Sequence, residues 1–288
     1  MGHEAAVRAA LRAGDDIERL IARLGTADHP RGQVLVAYRN TSLALQSVLG
    51  KPNARWAAFE VMSGLRREME RVVDDALADA TAAGTRLGQK QVKAQGFDVA
   101  QGAPLVDTRP MATAWMTLVD QQVATVNALA ATGGDEREIL GDEKRAGVLR
   151  PSVVIAEGAR WIAGALAAGS LAYFEWVLRR NGQTTSEWYH QVVAGIDERT
   201  TDCCLRAHGQ VQLLSKPFKL TGTPRYADEL DHPPFHWYCR SSEAIVSRQQ
   251  AGDAFTEEMV AAAQAELGAR ERTKARVEIH PADARSRR

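Results

Sequence analysis

Apolar residues recur at three- and four-residue steps through most of the first 180 positions, the spacing of one face of an α-helix. Val7, Leu11, Ile17, Leu20, Ile21 and Leu24 predict a helix over residues 4–24. A second is expected from Gln33 to Leu49, before the break at residues 50–53. From Asn53 a longer stripe begins with Trp56, Phe59, Met62, Leu65, Met69, Val72, Val73, Ala76 and Leu77, and arginine and glutamate occupy the opposite face. After a loop-like segment over 97–110, Met111, Trp115, Leu118, Val119, Gln122, Val126 and Leu129 predict a helix that stops at Gly133 and Gly134. Pro151 opens another helical region that runs to Arg180.

The pattern changes after residues 181–185, Asn-Gly-Gln-Thr-Thr. Residues 186–196 are rich in aromatic and β-branched side chains and read as a strand. Residues 200–209 read as a short helix, with Thr200 or Thr201 as N-cap, Asp202 in the first turn and Gly209 as the left-handed stop. Further strands are expected at 210–214 and 242–246, a loop at 216–234, and a final helix over Asp253–Arg272. The expected fold is a mainly α N-terminal helical region, residues 1–180, followed by a small α+β C-terminal module with short strands over 185–248, then a C-terminal helix and basic tail over 249–288.

Composition narrows the class. Apolar residues are 45% of the chain, enough for a buried core. Lysine and arginine number 36 and so do aspartate and glutamate, so no global field draws the chain to nucleic acid or anionic lipid. A DNA contact would be local. The tail carries Arg270, Arg272, Lys274, Arg276, Arg285, Arg287 and Arg288 against Glu271, Glu278 and Asp283. The plain reading is a solvated tail; the functional one is a nonspecific DNA contact through Arg285, Arg287 and Arg288. Three cysteines, an odd number, argue against a secreted disulfide framework, and the N-terminus lacks a hydrophobic signal core. The uncharged stretch Trp161–Phe174 is too short to span a bilayer and is followed by Glu175, so it reads as a buried helix packed through its small residues. An intracellular product with no membrane partner is expected.

All three cysteines and four of the seven histidines lie between His190 and Cys239. Adjacent residues on a helix point about 100° apart, so Cys203 and Cys204 face different ways. Cys204 and His208 are four apart and share a face; Cys203 is expected in packing. His236 and Cys239, three apart in a turn, offer a second pair. Together Cys204, His208, His236 and Cys239 supply two sulfurs and two imidazoles, a tetrahedral set suited to structural zinc. The plainer alternative is a rigid turn holding buried small residues and hydrogen-bonded histidines.

The stretch Asp197–Gln210, DERTTDCCLRAHGQ, followed by Pro233–Arg240, PPFHWYCR, resembles the phage Mu F-like head morphogenesis proteins, also called minor head proteins. Their pattern is Asp-x-Arg-Thr-Cys-x-x-Cys, a short helix ending in His/Asp-Gly, a variable loop, then Pro-Pro-x-His-x-x-Cys-Arg-Cys. Asp197, Arg199, Thr200, Cys204, Gly209, Pro233, Pro234, His236, Cys239 and Arg240 fall on pattern positions in order, with His208 at the helix end. The resemblance covers about residues 185–246, and the long helical region ahead of it matches the family's arrangement. Thr201 and Ser241 stand where the first and last cysteines are usual, so this chain keeps only the inner part of the set. Arg199 and Arg240 are expected to act internally, tying loop carbonyls to Asp197 or Glu198. Trp188 and Trp237 are expected to cover the module's core.

The resemblance implies a non-enzymatic structural protein of a tailed-phage head. Its partners would be the portal protein, and the major capsid or scaffold protein, during procapsid assembly and DNA packaging or ejection. It would work in the host cytoplasm during assembly and then in the head interior near the portal vertex. The alternative from the residues is a metal-dependent nuclease of the His-Asn-His type around Asp231, His232 and His236. Such a nuclease needs further His or Asn ligands, and the chain has no asparagine after Asn181. A third reading, a delivery module joined to a toxin, lacks any following effector domain.

Overall fold

The long periodic runs fold as helices close to the bounds their spacing implies. The computed structural model describes residues 2–26, 29–134, 136–142 and 146–279, with the side chains of the last helix described to residue 273. The first six helices are α1 (Gly2–Leu24), α2 (Gln33–Val48), α3 (Ala54–Ala94), α4 (Arg109–Thr132), α5 (Glu136–Leu140) and α6 (Pro151–Arg180). Gly133, in the left-handed conformation, ends α4. The buried stripe of α1 is Val7, Ala10, Ile17, Ile21 and Leu24, while Leu11 faces outward. On α3 the stripe runs from Ala58 and Met62 through Leu65, Met69, Val72, Val73 and Leu77. Trp56 is 70% exposed and Phe59 is also exposed, because both sit off that stripe.

The chain divides into two compact units. One is Asp15–Gly88 with Gly102–Tyr173; the other holds the residues up to Gly14, Gln89–Gln101, and those from Phe174 onward. In the first unit, α3 and α6 approach closely through small residues. A Cβ at Gly84 would stand 2.0 Å from the Leu166 carbonyl oxygen, and one at Gly169 would stand 2.6 Å from that of Thr81. Trp115 on α4 is fully buried, lies over Gly158, and donates its indole N–H to the Val154 carbonyl at 2.9 Å. By length and composition α6 could cross a membrane, yet 67% of its most apolar window is buried within the protein.

Helix propensity and packing give opposite answers at two α3 glycines. Ala is about 1 kcal/mol more favourable than Gly inside a helix. At Gly64 nothing lies within 4 Å of an added Cβ, so Gly64→Ala should stabilise by up to about 1 kcal/mol. At Gly84 the neighbour is backbone and must move, so Gly84→Ala should destabilise by about 2 kcal/mol despite the propensity gain. Denaturant midpoints of the two variants should therefore move in opposite directions; a shift of the same sign in both would refute the close approach.

The second unit holds the strands. In chain order its elements are β1 (Trp188–Val193), α7 (Asp202–Ala207), β2 (Val211–Leu213), β3 (Phe218–Lys219), β4 (Glu229–Leu230), β5 (Ser242–Ser247) and α8 (Ala254–Ile279). β1 is central in an antiparallel sheet ordered β2-β1-β5, and β3 and β4 form a separate antiparallel pair. The α+β character of this part is as expected; the two-residue β3 and β4 fall inside the stretch expected to be loop.

Alternation along β1 separates two cores. Val192 joins Cys203, Cys204, Ala207, Phe218, Leu220, Phe235 and Cys239 on one face. Val193 joins Ala6, Val7 and Ala10 of α1, Ala244 and Val246 of β5, and Met259 of α8 on the other. Side chains from the N-terminal part of the chain also complete the sheet's polar bonds. Gln91, in the last turn of α3, and Gln95, just past its end, donate to the carbonyls of Glu243 and Ile245 along β5 at 2.7 and 2.8 Å, which satisfies an edge strand. His3 is buried between Asp253, at 2.7 Å from Nδ1, and Gln191, at 2.7 Å from Nε2. His190 and Glu243 form a buried pair at 2.9 Å between the neighbouring strands β1 and β5. Trp188 packs on Phe97 and Phe174, whereas Trp237 is 58% exposed and covers no core.

Candidate metal centre at the joined motif halves

The first half of the site is set by the start and end of α7. Thr201 is the N-cap, its hydroxyl oxygen accepting from the Cys204 amide, and Asp202 favours the helix start by charge. The 197–200 turn ahead of it is internally bonded, with the Arg199 amide donating to Asp197 Oδ1 at 3.0 Å and the Thr200 amide to the Asp197 carbonyl at 3.0 Å. Gly209 closes the helix at φ +78°, where a Cβ would also stand 2.7 Å from Val260. Cys203 points into the apolar core as expected, and burial raises its thiol to about 11.

The second half is a tight turn entered through buried Pro233 and Pro234. Tyr238 sits in the left-handed region at φ +58°, uncommon for a residue with a side chain. That turn brings the Cys239 amide to the His236 carbonyl at 3.2 Å and points both side chains toward α7.

Cys204, His236 and Cys239 therefore meet, buried, with their sulfur and nitrogen atoms within 4.8 Å of one another; this Cys2His group could hold a metal ion. The two sulfurs are 3.6 Å apart and unbonded. Tetrahedral zinc with ordinary Zn–S bonds would separate them by about 3.8 Å. Cys204 Sγ lies 3.0 Å from His236 Nε2, a little inside the separation a shared ion would set. His236 Nδ1 faces the Trp237 carbonyl at 2.6 Å. A carbonyl only accepts, so Nδ1 carries a proton; Nε2 faces the sulfurs, donating to the Cys239 thiolate while the ring is protonated and offering its lone pair to an ion once that proton leaves. The Nδ1–carbonyl bond is the supporting contact that metal-binding histidines usually make.

Charge is already biased toward binding. Burial opposes a charged Cys239, but hydrogen bonds from Cys204 and His236 outweigh it and hold this thiol well below its usual range. Cys204 is raised by sharing its proton with Cys239 and by burial. His236 is raised, despite burial, by Cys239 and the Trp237 carbonyl. One thiolate is thus prepared, and an ion would displace the remaining protons.

His208, the fourth expected ligand, is not part of this group. α7 ends at Ala207, and His208 takes a non-helical ψ of 131°, so it leaves the face it would share with Cys204. Its Nδ1 instead accepts the Ala194 amide at 2.9 Å. Burial pushes His208 down to about 4. The unfolded ring titrates near 6.5, so this group's stability contribution is complete above about pH 6.5 and is lost as pH falls toward 4, by up to about 3 kcal/mol. His208→Gln, which can still accept from the amide, should show a flatter stability profile between those pH values than the native chain. Parallel profiles would refute the assignment.

Arg240 fulfils its internal role, donating to both carboxylate oxygens of Asp197 at 2.6 and 2.8 Å. Burial alone would raise Asp197, yet the bonds from Arg240 and Thr200 lower it. The Arg199 side chain is exposed. Arg270, counted in the sequence with the basic tail, donates instead to the carbonyls of Thr200 and Asp197 at 2.6 and 2.8 Å and so fastens the first motif half to α8. Thr201 Oγ1 lies 2.9 Å from His236 Nε2. His232 contacts the Pro233 carbonyl at 3.2 Å. Arg285, Arg287 and Arg288 lie outside the described residues. No family model matches the chain, and neither a curated protein nor a solved structure matches it.

Proposed function

We propose that the chain is a non-enzymatic minor head protein of a tailed bacteriophage, acting at the portal during procapsid assembly and DNA packaging or ejection. The observation that carries this reading is the meeting of Asp197–Cys204 with Pro233–Ser241. Residues separated by a long loop close on one another through Asp197–Arg240, Thr201–His236 and Cys204–Cys239. That is the arrangement in which the ordered motif of the Mu F-like head proteins would make structural sense. The clasp ties the loop ends, and the ion it would hold is zinc, whose preference for thiolate and imidazole fits the donor set. The helical region is the docking part in this reading, with the portal as first partner and the capsid or scaffold protein as second. The terminal arginines Arg285, Arg287 and Arg288 supply nonspecific contact with packaged DNA.

Co-expression with the portal protein from the same genome, followed by affinity capture and size-exclusion chromatography, tests the reading. A stable complex of defined mass is expected. No complex, together with absence of the chain from purified particles, would overturn it.

A further inference from the structure

A closed structural zinc site presents four protein sulfur or nitrogen ligands, whereas a site with three keeps an open position. The described residues bring three to this site: Cys204, His236 and Cys239. His208 is bonded away to Ala194. The two side chains nearest to completing the set, Thr201 and Ser241, carry neutral hydroxyls, which are weaker zinc ligands than thiolate or imidazole. Thr201 is engaged as the α7 cap and with His236.

Ser241 is different. It is 2% exposed; its Oγ faces the Cys204 thiol and has no hydrogen-bonding nitrogen or oxygen partner among the described residues. A buried hydroxyl whose neighbour is a thiol, a weak hydrogen-bond partner, is poorly satisfied and has room for a better one. Ser241 lines a cavity of about 20 Å³ whose walls also include Cys204, His236, Thr201, Arg199 and Arg240. A space of about 10–15 Å³ holds one water, so this one admits a water or another small ligand and excludes a side chain. Exposed Arg199 and Tyr238 lie on the same wall, so the cavity is on the solvent side of the site. Two guanidinium groups favour an anion there, although Arg240 is partly neutralised by Asp197.

We infer that a metal held by Cys204, His236 and Cys239 keeps a fourth, exchangeable position facing this cavity, and that the position takes a small monodentate ligand, water or a small anion, hydrogen-bonded to Ser241. The inference rests on the metal reading above. An anion entering this position would coordinate through one lone pair as the water leaves, with no change in oxidation state.

Cobalt(II) substitution of the full-length chain tests it, because cobalt d–d bands report coordination directly and need no activity. Azide is the probe. The native chain should bind cobalt with thiolate-to-metal charge-transfer bands, and azide should shift the d–d bands saturably. Ser241→Ala should keep the cobalt spectrum and bind azide several-fold more weakly. Ser241→Cys should raise the charge-transfer intensity by about half, from two thiolates to three, and abolish the azide response. Cobalt bands indifferent to azide in the native chain would overturn the open position while leaving the metal site intact. Failure to bind cobalt at all would overturn both.

Discussion

Removal of residues 2–14 should unfold the strand-bearing unit, although none of these residues lies near the cysteines in sequence. Ala6, Val7 and Ala10 form one side of the core against Val193, Ala244, Val246 and Met259. The Ala10 carbonyl accepts the buried Ser242 hydroxyl at 2.5 Å, and His3 bridges Asp253 and Gln191. Losing one buried valine and two buried alanines, and exposing the surfaces they cover, forfeits several kcal/mol at about 25 cal/mol per Å². Orphaning Ser242 and Gln191 adds about 1–3 kcal/mol each. Against a typical total of about 5–15 kcal/mol the unit has little left. Limited proteolysis should cut the truncated chain within Trp188–Ser247 under conditions that leave the full chain intact, and Val7→Asp should act the same way. Full protection in the truncated chain would mean that the module stands without α1.

Glu243→Ala should be the most damaging single substitution in the sheet. Glu243 and His190 are both nearly fully buried, and His190 Nε2 is bonded to the Lys216 carbonyl at 3.0 Å while its ring stacks on Phe218 at 4.0 Å. The imidazole is therefore held from two sides and cannot turn to a new partner. Removing the carboxylate strands a buried ring nitrogen, which costs about 3 kcal/mol, whereas Glu243→Gln keeps a hydrogen-bonding group there and should cost about 1 kcal/mol. Denaturant unfolding separates the two. Equal, small losses in both variants would show that water reaches the pair.

The helices were legible because their periodicity is long and each repeat of the stripe adds evidence: α3 is announced by its apolar positions over many turns. Leu11, Trp56 and Phe59 misled, since an apolar residue one step off the stripe is sequence-compatible with it and only packing decides. The strands β3 and β4 were hidden because a two-residue strand has no period; Gln210 holds β3 by bonding both the amide and the carbonyl of Lys219. That residues 2–14 and 89–101 join the strands is a long-range fact that local spacing does not carry. At the site, clustering of cysteine and histidine pointed to Cys204, His236 and Cys239. His208 failed because spacing was counted along a helix that ends one residue too early. Arg270 was missed because an arginine in a basic run looks solvated; Ser241 was noted only as the residue in the last cysteine position, and its burial beside the site is what the structure adds.

The clasp is tested most directly by elemental analysis of the full chain, purified without added metal or chelator, beside Cys239→Ser. About one zinc ion per chain, absent from the variant, with a melting temperature that falls when a chelator removes the ion, is the expected result. A metal-free chain whose melting temperature ignores both zinc and chelator would contradict it and leave only a hydrogen-bonded thiol–imidazole turn.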